Sequence, residues 1–164
     1  MRDRSVEPPE PSGPAITPAA LARVLAGCRD LSVHSSIAVV GRAATACQLD
    51  LVERGFEQVT AAPAHGVVLL REHFDCLCLV DVEHAAACDV TVLRRRLAPG
   101  ATLVLGVPLE CDRAVLGARL HAAGFEGLQH RVVGLPLADG ASHPAVFLIA
   151  HAPRDVGAPA RRAA

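Results

Sequence analysis

A short polar turn between two apolar stretches contains the residues of this chain with the clearest chemical potential. Asp81, Glu83 and His84 directly follow the apolar run 74–80. A histidine beside a carboxylate can accept or donate a proton near neutral pH. Aspartate and glutamate just before a helix are also ordinary capping residues. The sequence therefore leaves two interpretations of this turn open, acid–base catalysis and helix capping.

The residues on either side of this turn have the pattern of a strand, a helix and a second strand. The strand 74–80 precedes the turn, and a helix over about 88–97 follows it. Pro99 and Gly100 then form a turn, in which glycine supplies a positive φ, before a second apolar strand at 102–107. Two strands connected in this way lie parallel in one sheet, with the helix on its face. The polar turn should therefore lie at the carboxyl end of a strand.

The rest of the chain continues the same alternation. Thr17 and Pro18 are a typical helix start, and Asp112 is positioned to cap a later helix. The last two strands are joined by a short loop, which favours an antiparallel pair. Besides 74–80 and 102–107, the pattern predicts helices at 17–27, 43–54 and 112–123, and strands at 37–40, 58–61, 128–135 and 145–151.

The stretch FDCLCLVDVEHAAACDVTVLRRRLAPGATLVLGV, residues 74–107, resembles the class I S-adenosylmethionine-dependent methyltransferases. In that family Phe-Asp opens a strand, an acidic-His turn and a helix follow, and Leu-x-Pro-Gly-x-Leu-Val-Leu begins the next strand. The family fold also ends in an antiparallel hairpin, and the resemblance covers roughly residues 35–152. It implies an α/β, Rossmann-like, mostly parallel sheet with flanking helices and a C-terminal antiparallel strand, reduced in size.

The turn after the first strand departs from the family's donor-binding motif. The family has an acid two residues before its first glycine, and then Gly-x-Gly-x-Gly. Here Gly41 is present and Arg42 follows it, but Val39, Ala43 and Thr45 replace the acid and the other two glycines. A β-carbon at those glycine positions blocks close approach of the backbone to a ligand and restricts φ. The motif therefore predicts weak donor binding.

The family's donor site contains two further acids, each of which follows a strand. The acid that ends the second strand would stand at Ala61 or Ala62, just before Pro63. Glu72 matches the acid that follows the third strand, although it also fits a solvated loop position. The resemblance implies S-adenosylmethionine as cofactor, with Gly41, Arg42, Ala43, Ala62 and Glu72 at the donor site and Asp81, Glu83 and His84 beside the methyl acceptor.

The stretch 62–73 is too short for the helix and third strand that the family places there. Its one strand-like piece is 67–70. Either the helix has shrunk to a turn before a strand at 67–70, or the third strand is lost.

Three functions remain open. The first is a small methyltransferase that acts on a small-molecule substrate, with donor binding intact or impaired. The second is a non-catalytic binding or regulatory module that serves a protein partner. The third and weaker alternative is an NAD(P)-binding oxidoreductase-like domain, since the first turn also fits Gly41-x-Ala43-x-x-Ala46.

Histidines and cysteines in and around the strand 74–80 superficially suggest a metal site. His73 and His84 lie beyond opposite ends of that strand, roughly 20 Å or more apart, so they cannot share one ion. Cys76 and Cys78 point to one face, where cysteine packs as a small apolar residue. We therefore interpret the cysteines as core residues, and expect all six in the chain to be reduced and free of metal.

Composition excludes several classes of function. A formal charge of −1 and a pI near 6.7 give no electrostatic surface for nucleic acid or an anionic membrane. No apolar run approaches the roughly 20 residues of a membrane helix, and residues 1–16 lack the apolar region of a secretory signal. We predict a cytoplasmic protein with disordered segments at 1–16 and 153–164 around one domain at 17–152.

Overall fold

The computed structural model describes residues 16–70, 73–80, 89–109, 111–136 and 142–154. Six strands form one sheet in the order β2-β1-β3-β4-β6-β5. The strands are β1 (Ser36–Val40), β2 (Gln58–Ala62), β3 (Phe74–Leu79), β4 (Leu97–Val107), β5 (Glu126–Pro136) and β6 (Ser142–His151). The helices are α1 (Pro18–Ala26), α2 (Ala44–Glu53), α3 (Val90–Arg95) and α4 (Arg113–Ala122), with a 3₁₀ helix at Gly66–Leu69.

The pairing of the strands confirms the predicted α/β fold. β1 lies parallel to both β2 and β3, and β3 lies parallel to β4. β6 pairs antiparallel with β4 on one side and with β5 on the other. The sheet is therefore mostly parallel, with β3 near its centre and an antiparallel hairpin at one edge.

The sheet separates two apolar layers because successive side chains of a strand point to opposite faces. Ile37 and Val39 of β1 pack beneath α1 and α2. Ala38 and Val40 pack on the other face, with α3 and α4. Each fully buried leucine contributes roughly 1.5–3 kcal/mol through removal from water, and leucine, valine and alanine supply most of this core.

The helix boundaries follow from capping side chains. The hydroxyl of Thr17 accepts a hydrogen bond from the Ala20 amide at 3.3 Å, as predicted for the start of α1. The Asp112 carboxylate accepts from the amides of Ala114 and Val115 at 3.0 and 3.1 Å. α2 is followed by Gly55 at φ 96°, a left-handed conformation that glycine adopts at little cost.

Two elements differ from the sequence prediction. Residues 66–69 form the 3₁₀ helix, so the strand considered at 67–70 is wrong, and the described chain between β2 and β3 contains no strand. Pro99 and Gly100 lie inside a longer β4, at a register irregularity opposite Phe74 and Cys76. Gly100 does have the expected positive φ, 76°.

Candidate functional site

A cavity of about 360 Å³ opens at the carboxyl ends of β1 and β2. Ligands of open α/β sheets bind at this end of the strands. The cavity is lined by residues of the loop after β1, the first turn of α2 and the segment after β2: Gly41, Arg42, Ala44, Thr45, Ala61, Ala62, Pro63, Ala64 and His65. It is the location where the sequence predicted a donor site.

Backbone hydrogen bonds hold the three strand ends around this cavity together. The Gly41 amide donates to the Ala62 carbonyl at 3.0 Å, and the Val80 amide donates to the Val40 carbonyl at 2.9 Å. Gly41 has φ 137°, which an L side chain rarely adopts, so glycine is required for the chain to leave β1 here. Gly41, Arg42 and Ala62 are thus brought together.

Ala43 has a different environment from these three residues. It is half-buried and packs against the apolar layer beneath α1 and α2, and it is not among the residues that line the cavity. It precedes α2 as the N-cap residue, without a capping side chain. Thr45, by contrast, is exposed in the first turn of α2 and does line the cavity.

The lining of the cavity provides few groups that could recognise a nucleoside. Arg42 and His65 are its ionisable residues, and none of the nine described lining residues is a carboxylate. β2 ends at Ala62, which is 9% exposed, and continues into Pro63. No carboxylate at the end of β2 is therefore available to accept hydrogen bonds from ribose hydroxyls.

His65 was given no role in the sequence analysis. It is exposed and follows β2 by three residues, immediately before the 3₁₀ helix. Pro63, Ala64 and His65, which link β2 to the 3₁₀ helix, line the cavity together. A histidine just after a strand was the sequence feature that could have drawn attention to it.

The remaining predicted site residues, Glu72, Asp81, Glu83 and His84, lie outside the described residues. Their roles remain predictions. Val80, the last described residue before the acidic-His turn, is buried and hydrogen-bonded to β1 at the same end of the sheet as the cavity.

Cysteines form a sulfur-rich part of the layer beneath α1 and α2. The thiols of Cys76 and Cys78 lie 3.6 Å apart in β3, and Cys47 and the half-buried Cys28 pack in the same layer. Burial raises the pKa values of Cys28 and Cys47 to about 11. These four and Cys111 are free thiols, whereas Cys88 lies outside the described residues. Across the described ranges no cluster of His, Cys, Asp or Glu is placed to hold a metal ion.

No protein-family model matches this sequence, and no curated protein matches it. Several solved structures, however, do match the chain. A SAM-dependent methyltransferase from Archaeoglobus fulgidus matches with a TM-score of 0.58 at 9% identity, over 82% of this chain and 92% of that one. The precorrin-6y C5,15-methyltransferase from Geobacter metallireducens matches at 0.54 and 13%, over 81% and 87%. The chain has a class I methyltransferase-like fold.

A third solved structure shows the same similarity to a methyltransferase fold. A methyltransferase from Pyrococcus furiosus aligns with a TM-score of 0.52 at 14% identity, over 89% of this chain and 88% of that one. Likeness at such low identity establishes the fold and leaves the activity to be argued from the site. Within the described part of the chain, no helix is both long and apolar enough to cross a membrane.

Proposed function

We propose that this methyltransferase-like domain binds S-adenosylmethionine poorly or not at all and acts as a non-catalytic binding or regulatory module. One observation carries the proposal. The cavity at the carboxyl ends of β1 and β2 is lined at the end of β2 by Ala62 and Pro63, with no carboxylate among its described lining residues.

The energetic consequence of that lining is direct. A buried polar group that loses its hydrogen-bond partner costs about 1–3 kcal/mol, and the ribose hydroxyls of the donor would lose theirs here. The side chain of Thr45 also occupies space beside the loop that the donor's methionine end would approach. We expect a dissociation constant no tighter than roughly 100 μM, equivalent to about −5.5 kcal/mol.

Calorimetric titration of the full chain with S-adenosylmethionine and with S-adenosylhomocysteine tests this expectation. Weak or undetectable heat with both ligands supports impaired donor binding. A dissociation constant in the low micromolar range would contradict it, because other residues would then have to supply the missing contacts.

A gain-of-binding variant tests the stated cause. Ala62→Asp restores a carboxylate at the end of β2, and Ala43→Gly with Thr45→Gly restores the glycine pattern. The triple variant should bind S-adenosylmethionine at least about tenfold more tightly, since one recovered hydrogen bond is worth about 1.4 kcal/mol or more. Thr60→Asp is the matched control: it adds the same charge at an exposed position of β2 that is not among the residues lining the cavity. An equal gain in this control would show a general attraction for the cationic donor.

A second candidate is an active small-molecule methyltransferase. A preformed cavity at the correct end of the sheet and the left-handed Gly41 favour it. Alignment of an already activated donor is most of the catalysis such an enzyme needs, so few catalytic residues are required. Under this hypothesis Asp81, Glu83 and His84 line the acceptor side. The nicotinamide alternative gains no support, because it requires the same missing carboxylate.

A further inference from the structure

A second cavity, of about 370 Å³, lies at the opposite end of the sheet from the donor position. It forms where α1 ends against β5 and β6. Its lining is polar and rich in hydrogen-bond donors: Gly27, Cys28, Arg29, Asp30, Gln129, Arg131, Ile149 and His151. A smaller cavity of about 260 Å³ adjoins it, with Asp30 lining both.

Arg131 is held in place at the rim of this cavity. Its guanidinium donates a hydrogen bond to the Gly27 carbonyl at 2.9 Å, where the carbonyl groups at the end of α1 carry partial negative charge. The absence of a side chain at Gly27 leaves room for this contact, since a Cβ at that position would overlap the guanidinium. The positive group is therefore oriented by the fold before any ligand arrives.

His151 is oriented by a second contact. Its Nδ1 lies 3.4 Å from the hydroxyl of Thr102, which is 1% exposed in β4, level with the amino ends of β1 and β3. The buried threonine cannot follow the histidine into solvent, so the contact restrains the imidazole. Preorganised groups of this kind lose little conformational entropy when they bind a ligand.

The charge balance of the cavity favours an anion. Arg29 and Arg131 provide two guanidinium groups, and Asp30 provides the one carboxylate among the described lining residues. Guanidinium groups match the geometry of carboxylates and phosphates. The Gln129 amide adds further donors, and the buried Ile149 provides an apolar surface for a short carbon skeleton. The volume lies at the lower end of the range for small-molecule sites.

We propose that this cavity binds a small organic anion, whose carboxylate or phosphate group contacts Arg131 and Arg29 and whose carbon atoms lie against Ile149. His151 and Gln129 supply additional hydrogen bonds. This proposal does not depend on the proposed function, because the two cavities lie at opposite ends of the strands and share none of their described lining residues.

Titration calorimetry on the full chain with succinate and with inorganic phosphate tests the proposal and distinguishes the two anion types. At constant ionic strength we expect one of them to bind with a dissociation constant on the order of 1 mM or tighter. Choline chloride and sodium chloride serve as negative probes. Absence of binding by both anions, or equal heats with the chloride salts, overturns the proposal.

Two variants and one control connect the binding to this cavity. Arg29→Gln and His151→Gln should each weaken binding of the anion at least about fivefold, because each removes a group that contacts it. Arg113→Gln removes the same charge from an exposed position at the start of α4 and should leave the affinity unchanged. If all three variants behave alike, the anion binds to the general surface and the proposal fails.

Cys28 provides an independent measurement of location. Its thiol lines this cavity and is half-buried, whereas Cys111, also half-buried, lies elsewhere. At about ten times its dissociation constant, the anion should slow alkylation of Cys28 by iodoacetamide roughly tenfold, because about nine-tenths of the sites are then occupied. The alkylation rate of Cys111 should not change. Equal protection of both cysteines, or of neither, contradicts the assignment.

Discussion

The two ends of the sheet differ in the chemistry of their side chains. At the carboxyl ends of β1 and β2 the cavity is lined by alanines, Pro63, Thr45 and two basic residues. At the amino ends, the two adjoining cavities bring together arginines, aspartates, histidines and serines. The family fold places its donor at the first end, whereas the described polar groups are concentrated at the second. Under the proposed function, the fold is retained while the part of it that recognises ligands differs.

Gly106→Ala should have the largest effect among the variants that probe this contrast. Gly106 lies near the carboxyl end of β4, where a Cβ would overlap the side chain of the buried Ile16 and come within 3.3 Å of the Leu79 carbonyl. Overpacking of a buried site costs about 1–3 kcal/mol. Urea denaturation should show this loss, and Ile16→Ala should cost less in the Gly106→Ala background than in the unmodified chain. Strict additivity of the two substitutions would contradict the contact.

Gly27→Ala, at the amino end, should cost less, about 1 kcal/mol. Here the added Cβ meets the tip of the long Arg131 side chain, which can move away at the expense of its hydrogen bond to Gly27. Alanine also favours the helical backbone more than glycine does, which offsets part of the loss. The urea midpoints of the two glycine variants test whether Gly106→Ala is the more destabilising substitution. A larger loss for Gly27→Ala would mean that the amino end is the more rigid one.

Alkaline pH should destabilise the protein through its thiols. The chain has no lysine or tyrosine, so cysteines are the side chains expected to titrate between about pH 9 and 11. The pKa values of Cys28 and Cys47 rise from 9.0 to about 11 on folding, so their contribution to stability is complete below pH 9 and is lost as the pH rises toward 11.

The urea midpoint, measured between pH 8 and 11, should fall in the unmodified chain. Cys28→Ala should reduce the pH dependence of the midpoint by removing the thiol at the 370 Å³ cavity. Cys47→Ala should reduce it by removing the thiol in the first turn of α2. A midpoint equally sensitive to pH in the double variant would show that other groups cause it.

Loss of the exposed ion pairs should have the smallest effect. His34 and Glu57 form a 2.8 Å contact with side chains 70% and 59% exposed, and Arg54 contacts Asp50 at 2.7 Å on α2. Such pairs contribute about 0–1 kcal/mol. Glu57→Gln and Arg54→Gln should therefore each shift the free energy of unfolding by less than about 0.5 kcal/mol in denaturant titrations. A loss above about 1 kcal/mol for either would show that charges on this surface form a larger network.

The sequence predicted the strands and helices well because local patterns determine them. An unbroken apolar run marks β1, β3 is apolar except for Asp75, and Thr17 and Asp112 cap helices as expected. The structure of the stretch 62–73 could not be predicted from the sequence, because Val67 to Leu70 favour a strand in isolation. In the folded chain Val67 is buried in the 3₁₀ helix and Leu70 is buried just after it, so tertiary packing overrides their local preference.

The candidate site was less predictable from the sequence. The proximity of Gly41 to Ala62 followed from the parallel arrangement of β1 and β2, in which Val40 lies opposite Ala62. The packing of Ala43 against the apolar layer did not, because it depends on contacts with residues that are distant in the sequence. The amino-end cavity was missed completely: Arg131 and Gly27 are 104 residues apart, and no local pattern connects them.

The paired thiols of β3 allow the motions of the sheet to be measured. Cys76 and Cys78 are 0% exposed, between β1 and β4 and beneath two helices. A thiol reagent can reach them only during an opening of the sheet, whereas Cys28 requires only a local fluctuation. When reclosing is faster than labelling, the labelling rate reports the equilibrium between closed and open states. Cysteine labelling in this chain thus measures how readily the structure opens at different depths below its surface.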